Sequence, residues 1–231
     1  MTGVELLDWD TEFFGYPVGR LTTGDMEVNE DQLVSLSEQF KLVYVVSNKP
    51  QTTELLLAGD SKIIFQKTPE RHDISPTVVT AKKEAIEEFK RIGRQSGIWS
   101  RFAIDEGFQN QEFERLYDRW VTGSIENEIA FANLTVLDAQ QPTGLITVAE
   151  VDADNATIGL FAVSEKHRGK GIGTRLLQAV DTICADKGYR SLTVATQGKN
   201  TGAQMVYERF GFRPLNVTYI YNYWNEAYTV Q

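Results

Sequence analysis

The stretch TIGLFAVSEKHRGKGIGT, residues 157–174, decides the fold of this chain. Its pattern predicts a buried strand over residues 158–163, a short polar connection, a glycine-spaced turn over residues 168–173 and then a helix. An Arg-x-x-Gly-x-Gly turn between a strand and a helix leaves successive backbone N–H groups free and aims them, with the positive end of the helix dipole, at one place. The sequence therefore predicts a pyrophosphate site at this turn.

Three glycines in this turn fit a phosphate site, because a Cβ would block the phosphate oxygens or forbid a positive φ; they are Gly169, Gly171 and Gly173. Arg168 and Lys170 add positive charge beside them. On its own, a tight turn before a helix explains the three glycines equally well. The spacing does not match the Gly-x-x-x-x-Gly-Lys-Ser/Thr loop, and no acidic residue closes a following strand as a dinucleotide-binding fold requires.

A second pattern follows one predicted strand later, with the spacing Asn-x-x-Ala-x-x-x-Tyr-x-x-x-Gly-Phe; its members are Asn200, Ala203, Tyr207, Gly211 and Phe212. Together the two patterns resemble the GNAT superfamily of acetyl-CoA-dependent N-acetyltransferases. The resemblance implies an α/β (α+β) fold with a central mixed, splayed sheet and helices on both faces. Alternating apolar runs and helical patterns along the chain favour the same layered architecture.

Composition limits the partners. The chain has 231 residues and a formal net charge of −9, which argues against general binding to nucleic acid or an anionic membrane surface, since both are polyanions. No signal peptide or membrane-spanning run is recognisable, and a cytoplasmic protein is the simplest expectation. Cys184 is the single cysteine, so no intrachain disulfide and no all-cysteine metal site is expected.

The sequence suggests two units, a small partial GNAT-like α/β domain over residues 1–72 and a GNAT acetyltransferase domain over residues 73–231. A polar, proline-flanked segment separates them. In the first unit we predict a strand at residues 42–46, a helix at residues 51–58 ended by Gly59, and a returning strand. This order echoes residues 192–213 but lacks the glycine turn, so the first unit is expected to be a scaffold or dimer element.

The predicted cofactor site uses the end of the strand at residues 158–163. Where neighbouring strands separate, free backbone groups at Phe161, Ala162 and Val163 can pair with an amide-containing arm such as pantetheine. The predicted acetyl-CoA-binding residues are the three just named and those of the turn and the following helix face: Arg168, Gly169, Lys170, Gly171, Ile172, Gly173, Thr174, Asn200 and Ala203.

Tyr207 is the predicted general acid, because a phenol with an ordinary pKa near 10 is protonated at neutral pH and can donate to a leaving thiolate. A core tyrosine with a hydrogen-bonded hydroxyl is the alternative. An attacking amine must first lose a proton, for which Glu150 and Asp152 are the candidate bases. His167, beside the turn, is expected to face solvent rather than to act in catalysis.

The segment before the splayed strand is expected to bind the acceptor. We predict a helix over residues 81–94, a loop over residues 95–104 and a helix over residues 111–121. Four basic residues with no acid among them stand out in an acidic protein; they are Lys90, Arg91, Arg94 and Arg101. A solvated helix face explains the first two as well as a ligand does. Arg101, between aromatic residues, is the better candidate for a ligand contact.

Four patches narrow the resemblance to the dTDP-fucosamine N-acetyltransferases; they are Trp9-x-x-x-Phe13-Phe14-Gly15, Ser100-Arg101-Phe102, Ile158-Gly159-Leu160 and the run from Val194 to Ala203. The resemblance implies a dTDP-linked 4-amino-deoxysugar as the acceptor in surface polysaccharide synthesis, and possible homodimers. The predicted acceptor-binding residues are Ser100, Arg101, Phe102 and Trp120. Residues 103–111 lack the basic, aromatic run expected there.

Two other functions remain open. A GNAT enzyme acting on another amine, such as an amino acid, an antibiotic or a protein terminus, would share all the acetyl-CoA chemistry and differ only in residues 95–120. A catalytically silent acyl-CoA-binding regulator would keep the glycine turn and would not need Tyr207.

Overall fold

The computed structural model describes residues 3–228, and its centre is one mixed, open sheet. The sheet order is β1-β2-β3-β11-β4-β10-β9-β8-β6-β5, with β7 paired to β6. The strands are β1 (Glu5–Leu6), β2 (Val18–Gly24), β3 (Leu42–Ser47), β4 (Leu57–Lys67), β5 (Val78–Thr80), β6 (Ala132–Asp138), β7 (Gln141–Pro142), β8 (Gly144–Glu150), β9 (Asn155–Val163), β10 (Ser191–Gln197) and β11 (Arg213–Trp224).

Helices cover both faces of this sheet, as predicted. They are α1 (Asp8–Phe14), α2 (Glu30–Leu36), α3 (Ile86–Ser96), α4 (Arg101–Ile104), α5 (Glu112–Ile125), α6 (Ile172–Lys187) and α7 (Thr201–Arg209). On one face, α6 and α7 pack on the sheet through residues such as Leu176 and Tyr207. On the other, α3 and α5 pack through Phe89 and Val121. Cys184, on α6, is buried in the core between this helix and the sheet.

The sheet splays between β9 and β10, which confirms the predicted separation. These two parallel strands pair only as far as Ile158 and Val194. Beyond that level β9 continues to Val163 beside β8, and β10 continues to Gln197 beside β4. A gap therefore opens in the middle of the sheet.

A local irregularity in β9 accompanies this separation, because two of its residues, Gly159 and Leu160, lie opposite Thr147 of β8. The β8–β9 register shifts between Ile146 and Val148, where the Thr147 hydroxyl accepts a hydrogen bond from the Leu160 N–H at 3.0 Å. A shift of this kind bends and twists the strand that carries it. The side-chain hydroxyl thus satisfies a backbone donor that the regular ladder has lost.

Strand β4 lies between β10 and β11 and pairs antiparallel with both. A strand from the first third of the chain therefore completes the sheet formed by the last third. The hydrogen-bonded sheet crosses the expected boundary near residue 72, and the division of the chain into two domains there stays a prediction.

The helix predicted over residues 51–58 is wrong, because the chain makes a turn at residues 54–55 and enters β4 at residue 57. Gly59 does not end a helix. A Cβ on Gly59 would lie 2.6 Å from the ring of Tyr221 on the neighbouring strand, so the glycine allows this ring to pack against the strand. The apolar run suited either structure, and the tertiary partner determines which one forms.

Two further elements differ from the predictions. The helix expected from residue 81 begins at Ile86, after β5 and a 3-10 turn, and the loop expected over residues 95–104 contains α4. His72, in the polar segment between the two expected units, is paired: its Nε2 lies 2.7 Å from Asp181 Oδ2 on α6, which also pairs with Lys67 at the end of β4. These contacts join the end of β4 to the back of α6.

Candidate active site

A cavity of about 610 Å³ occupies the gap between β9 and β10. Its volume lies within the range of about 300–1,000 Å³ typical of small-molecule sites. Two sets of residues face each other across it. We call the first the turn wall; it comprises residues 161–163, 168–169, 171–174, 200, 203 and 207. We call the second the aromatic wall; it comprises Ile98, Trp99, Tyr117 and Trp120.

The glycine turn has the predicted backbone conformation. Gly169 and Gly171 have φ of 75° and 73°, in the left-handed region that favours glycine. The first hydrogen bond of α6 runs from the Arg175 N–H to the Gly171 carbonyl at 3.1 Å, which leaves the earlier amides of this turn without helical partners. A Cβ on either glycine would meet no atom within 4 Å, so both border open space.

The residues of the turn wall fit a pyrophosphate and an amide-containing arm. The free amides at the N-terminus of α6 attract anions, and the edge of β9 that faces β10 is free of strand pairing beyond Ile158. Gly173 allows close packing, because its Cβ would lie 3.2 Å from the Phe161 ring. Arg168 and Thr174 also border the cavity, whereas Lys170 is exposed and does not.

Asn200 and Ala203 are on the cavity at the start of α7. The Asn200 side chain accepts a hydrogen bond from the Ala203 N–H at 3.2 Å and so caps this helix. The side-chain carbonyl of Asn200 is therefore engaged, and its amide NH₂ is the group that can face a ligand.

Tyr207 borders the cavity and is 4% exposed. Its ring packs between Phe65, Phe161 and Phe212, at centroid distances of 5.8, 6.0 and 5.9 Å. No hydrogen bond joins its hydroxyl to another residue in the range 3–228. Burial raises the pKa of this phenol, so the hydroxyl is protonated throughout the neutral range. A free, protonated donor therefore lies where the two walls meet.

Glu150 does not lie on the cavity. Strand β8 runs antiparallel to β9, so Glu150 pairs with Ala156 at the start of β9, whereas the cavity is at its end. The Glu150 carboxylate accepts a hydrogen bond from the Tyr189 hydroxyl. Asp152 lies in the turn that follows and is bonded to Asn155. The structure thus brings neither predicted base to Tyr207.

The predicted acceptor residues divide into two groups. Trp120 borders the cavity. Ser100 and Phe102 are buried, at 4% and 7% exposed, and Phe102 packs in a core cluster with Tyr44. Arg101 stacks on the rings of Tyr44 and Phe102, 4.5 and 4.2 Å from their centroids, and its Nε is buried without a hydrogen-bond partner among residues 3–228.

The basic residues of α3 are engaged in ion pairs. Lys90 pairs with Glu87 at 2.7 Å and Arg91 with Glu88 at 2.5 Å. Arg94 pairs with Asp118 on α5, because its Nε and Nη2 atoms each donate a hydrogen bond to the carboxylate. For these three side chains the interpretation as a paired helix surface is the better one.

A different group of charges lies beside the aromatic wall. Asp60 and Lys62 are on β4, next to the end of β10, and α4 packs against the same strand. Arg101, Lys62 and Lys199 all act on Asp60 and lower its pKa, whereas its burial, the larger effect, raises it. We call Asp60, Lys62, Arg101 and Lys199 the charged cluster.

Sequence reasoning missed most of the aromatic wall and the charged cluster. Ile98 and Trp99 are large apolar side chains with 46% and 43% of their surface exposed. Tyr117 lies on the apolar face of α5, and its helical spacing alone is typical of core packing. Asp60 and Lys62 lie near the site only because β4 inserts beside β10, which no local sequence pattern indicates. The one local signal was the run QSGIWS, residues 95–100, in which Ile98 and Trp99 are exposed.

Comparison with known proteins identifies the family of this chain. The model of the Acetyltransferase (GNAT) family matches residues 85–212. This chain belongs to the GNAT family of acetyltransferases. It is an acetyl-CoA-dependent N-acetyltransferase, and acetyl-CoA is its acetyl donor. The turn wall of this GNAT chain has the free amides and the free strand edge that such a cofactor requires.

A curated relative and two solved structures resemble this GNAT protein over most of its length. The dTDP-fucosamine acetyltransferase of Escherichia coli O6:H1 is 25% identical over 215 residues, 90% of this chain and 92% of that protein. A functionally unknown conserved protein from Staphylococcus epidermidis has a TM-score of 0.63 at 13% identity, covering 90% of this chain and 84% of the other.

A putative GNAT-family acetyltransferase from Novosphingobium aromaticivorans has a TM-score of 0.55 at 14% identity, covering 82% of this chain and 77% of the other. The two solved structures establish the likeness of fold alone. None of the helices between residues 3 and 228 combines the length and the apolar character needed to cross a bilayer.

Proposed function

We propose that this GNAT enzyme acetylates the amino group of a nucleotide-linked amino-deoxysugar, with a dTDP-linked 4-amino sugar as the first candidate. The observation that carries the proposal is the charged cluster, which combines three cations and one carboxylate beside the aromatic wall. An amino sugar linked to a nucleoside diphosphate carries both signs of charge. The relative named dTDP-fucosamine acetyltransferase, similar over 90% of the chain, supports the same acceptor.

On the turn wall, each residue has a role that follows from its position. The amides of residues 169–174 bind the pyrophosphate of the acetyl donor, with Arg168 at the rim. The free edge of β9 at residues 161–163 pairs with the amides of the pantetheine arm. The bound cofactor supplies an acetyl group activated as a thioester. Ala203 leaves room for it on α7, and the Asn200 amide can donate to it.

Tyr207 is the proposed general acid. Its hydroxyl is free, protonated and at the end of the cavity where the strand edge meets α7. As the bond between carbon and sulfur breaks, Tyr207 donates its proton to the sulfur and so avoids the release of a free thiolate. The phenylalanine rings around it hold the phenol in one orientation.

On the other side, the aromatic wall and the charged cluster bind the acceptor. Trp99 and Trp120 offer flat apolar surfaces to a sugar or a base. Arg101 has a buried Nε without a partner among the described residues. Burial of Lys62, and to a smaller extent the charge of Arg101, lowers the pKa of that lysine. Two neighbouring, partly desolvated cations favour a phosphate group, even in a chain with a net charge of −9.

The deciding experiment is a turnover screen with acetyl-CoA. We expect dTDP-linked 4-amino sugars to give the highest kcat/KM among dTDP- and UDP-amino sugars, amino acids and aminoglycosides. Preferred turnover of an uncharged or purely cationic amine would contradict the proposed acceptor. Binding of acetyl-CoA without any turnover would favour the silent regulator. Sedimentation of the same preparation would test the homodimer, which stays a prediction.

A further inference from the structure

Asp60 is a largely buried residue whose carboxylate has no partner in the described part of the chain. The residue is 8% exposed, and its carboxylate forms no hydrogen bond and no ion pair within 4 Å among residues 3–228. Buried carboxylates in folded proteins are normally hydrogen-bonded or paired. The other carboxylates in this part of the molecule satisfy that rule: Asp105 accepts from Asn222 and Trp224, and Glu112 from the Asn110 N–H.

The strand register places Asp60 on the face of the sheet that carries the aromatic wall. Asp60 on β4 pairs with Ile220 on β11, and directly paired residues point to the same face. Ile220 packs in the cluster that contains Phe102 of α4. The next residue, Ser61, accepts a hydrogen bond from the Gly198 N–H at 2.6 Å. Asp60 therefore lies level with the end of β10, where the gap is open.

Tyr117 connects Asp60 with the cavity. Its ring packs over Gly97 so closely that a Cβ there would lie 2.0 Å from its Cζ atom, which fixes the position of the hydroxyl. Tyr117 borders the cavity, and the charge of Asp60 acts on its phenol. The neighbouring Ser100 hydroxyl is buried and has no hydrogen-bond partner in the described part of the chain. The Tyr117 phenol, at the cavity, is thus close enough to both Ser100 and Asp60 for each of them to act on it.

The titratable groups around Asp60 come from four parts of the chain. They are Lys62 on β4, Arg101 on α4, Lys199 between β10 and α7, and the neutral phenol of Tyr117 on α5. Burial raises the pKa of Asp60, and the three cations partly offset this effect. A carboxylate with a raised pKa holds a proton more firmly than an ordinary aspartate, which makes it a better proton acceptor.

We propose that Asp60 is the group that takes up the proton which the acceptor amine must lose before it attacks, with the Tyr117 and Ser100 hydroxyls as the relay. The inference deepens the proposed function, because it names the base of the same reaction. Asp60 replaces Glu150 as the candidate base, because β8 places Glu150 beside the start of β9, away from the cavity.

The protons balance. The acceptor arrives as an ammonium ion, and Asp60 takes its first proton through the relay. The amine nitrogen then forms a bond to the acetyl carbon, the bond from that carbon to sulfur breaks, and Tyr207 donates its proton to the sulfur. The second proton of the amine returns to Tyr207 through solvent. One proton is released in each turnover, and it leaves through Asp60.

The test compares Asp60→Asn, Asp60→Glu and wild type with the amine that turns over best in the screen, at saturating acetyl-CoA and over a range of pH. We expect Asp60→Asn to lower kcat/KM for the amine by about 100-fold at pH 7. The loss is expected to shrink toward the pKa of the amine, where the amine loses its proton unaided. Asp60→Glu keeps the carboxylate and is expected to recover part of the activity.

Asp10→Asn is the matched control, because burial also raises the pKa of Asp10 and Arg101 also acts on it. We expect this variant to stay within threefold of wild type. A constant loss in Asp60→Asn at every pH, an increase in KM alone, or an equal loss in the control would overturn the proposal. An unexpected acceptor in the screen would overturn the nucleotide sugar and would leave this test unchanged.

Discussion

The two sides of the cavity are built in different ways. The turn wall uses backbone groups from continuous segments, the end of β9 with its turn and the start of α7. The aromatic wall uses side chains from α5 and the segment after α3, and the charged cluster beside it uses side chains from β4, α4 and the segment after β10, which are far apart in sequence. A backbone site depends on a few φ values, whereas a side-chain site depends on the packing of several elements. Substitutions on the two sides are therefore expected to differ in kind.

The largest effect is expected at Gly171. Valine there would have to adopt a φ of 73°, and its side chain would enter the space beside the free amides. We expect Gly171→Val to weaken acetyl-CoA binding by at least about 100-fold in calorimetry, because the strained turn re-aims these amides.

Gly188 provides the control for this strain. It ends the same helix with a φ of 82° and open space around its Cβ, away from the cavity. Gly188→Val is expected to lower Tm to a similar extent and to leave the acetyl-CoA Kd within threefold. Unchanged affinity in Gly171→Val would exclude the turn as a phosphate site.

Next in size is the effect of removing the phenol of Tyr207. We expect Tyr207→Phe to lower kcat by about 100-fold, because the leaving sulfur loses its proton donor. The acetyl-CoA Kd is expected to change less than twofold, since the hydroxyl has no hydrogen bond among the described residues to lose. Stopped-flow turnover and calorimetry measure the two quantities.

Tyr189→Phe removes a phenol at the other end of the sheet, where it is bonded to Glu150. Wild-type kcat is expected in this control. If Tyr207→Phe also kept wild-type kcat, Tyr207 would be a core tyrosine and not the acid.

A smaller effect, limited to the KM of the acceptor, is expected at Arg101. Loss of one charged partner of the acceptor is expected to raise the acceptor KM about tenfold in Arg101→Ala. The KM for acetyl-CoA is expected to stay within twofold. Arg101→Lys keeps the charge and separates this effect from lost stacking on Tyr44.

Lys90→Ala is the control, because this lysine is paired with Glu87 on the outside of α3. It is expected to leave both KM values unchanged. Equal increases in the two KM values of Arg101→Ala would show that the arginine supports the whole cavity and does not recognise the acceptor.

The smallest effect is expected at Trp99. Its indole is 43% exposed at the mouth of the cavity, so its removal costs about 1 kcal/mol of stacking, or about a fivefold increase in acceptor KM. Trp9 is similarly exposed, at 45%, and stacks on Phe13 away from the cavity. An increase in acceptor KM for Trp9→Ala equal to that for Trp99→Ala would remove the aromatic wall from acceptor binding.

The same contrast explains how much the sequence revealed. The glycine turn and the spacing from Asn200 to Tyr207 are local, and the residues they predicted meet on one cavity, with the exception of Lys170. Glu150 was a candidate base because it lies late in the strand next to β9. The antiparallel direction of β8 puts the end of that strand at the wrong edge.

The aromatic side was harder to predict. Phe102 looked like a ligand contact in a loop, and α4 places it in a core cluster. Residues 51–58 had a helical pattern, yet the end of this segment belongs to β4, which pairs with β10 and β11 from the last part of the chain. Pairing between such distant segments leaves no periodic trace in either one, so Asp60 could not be placed.

The position of β4 also matters for how the chain is made. This strand leaves the ribosome long before its two neighbours, β10 and β11, have been synthesised. Its backbone and its apolar residues therefore stay without their native partners until the end of the chain is made. Late closure of this kind slows folding, because contacts between remote segments require large loops to close. A fragment of residues 85–212 would lack β4, so one edge of β10 would be unpaired. Such an edge can form hydrogen bonds with a strand of another molecule.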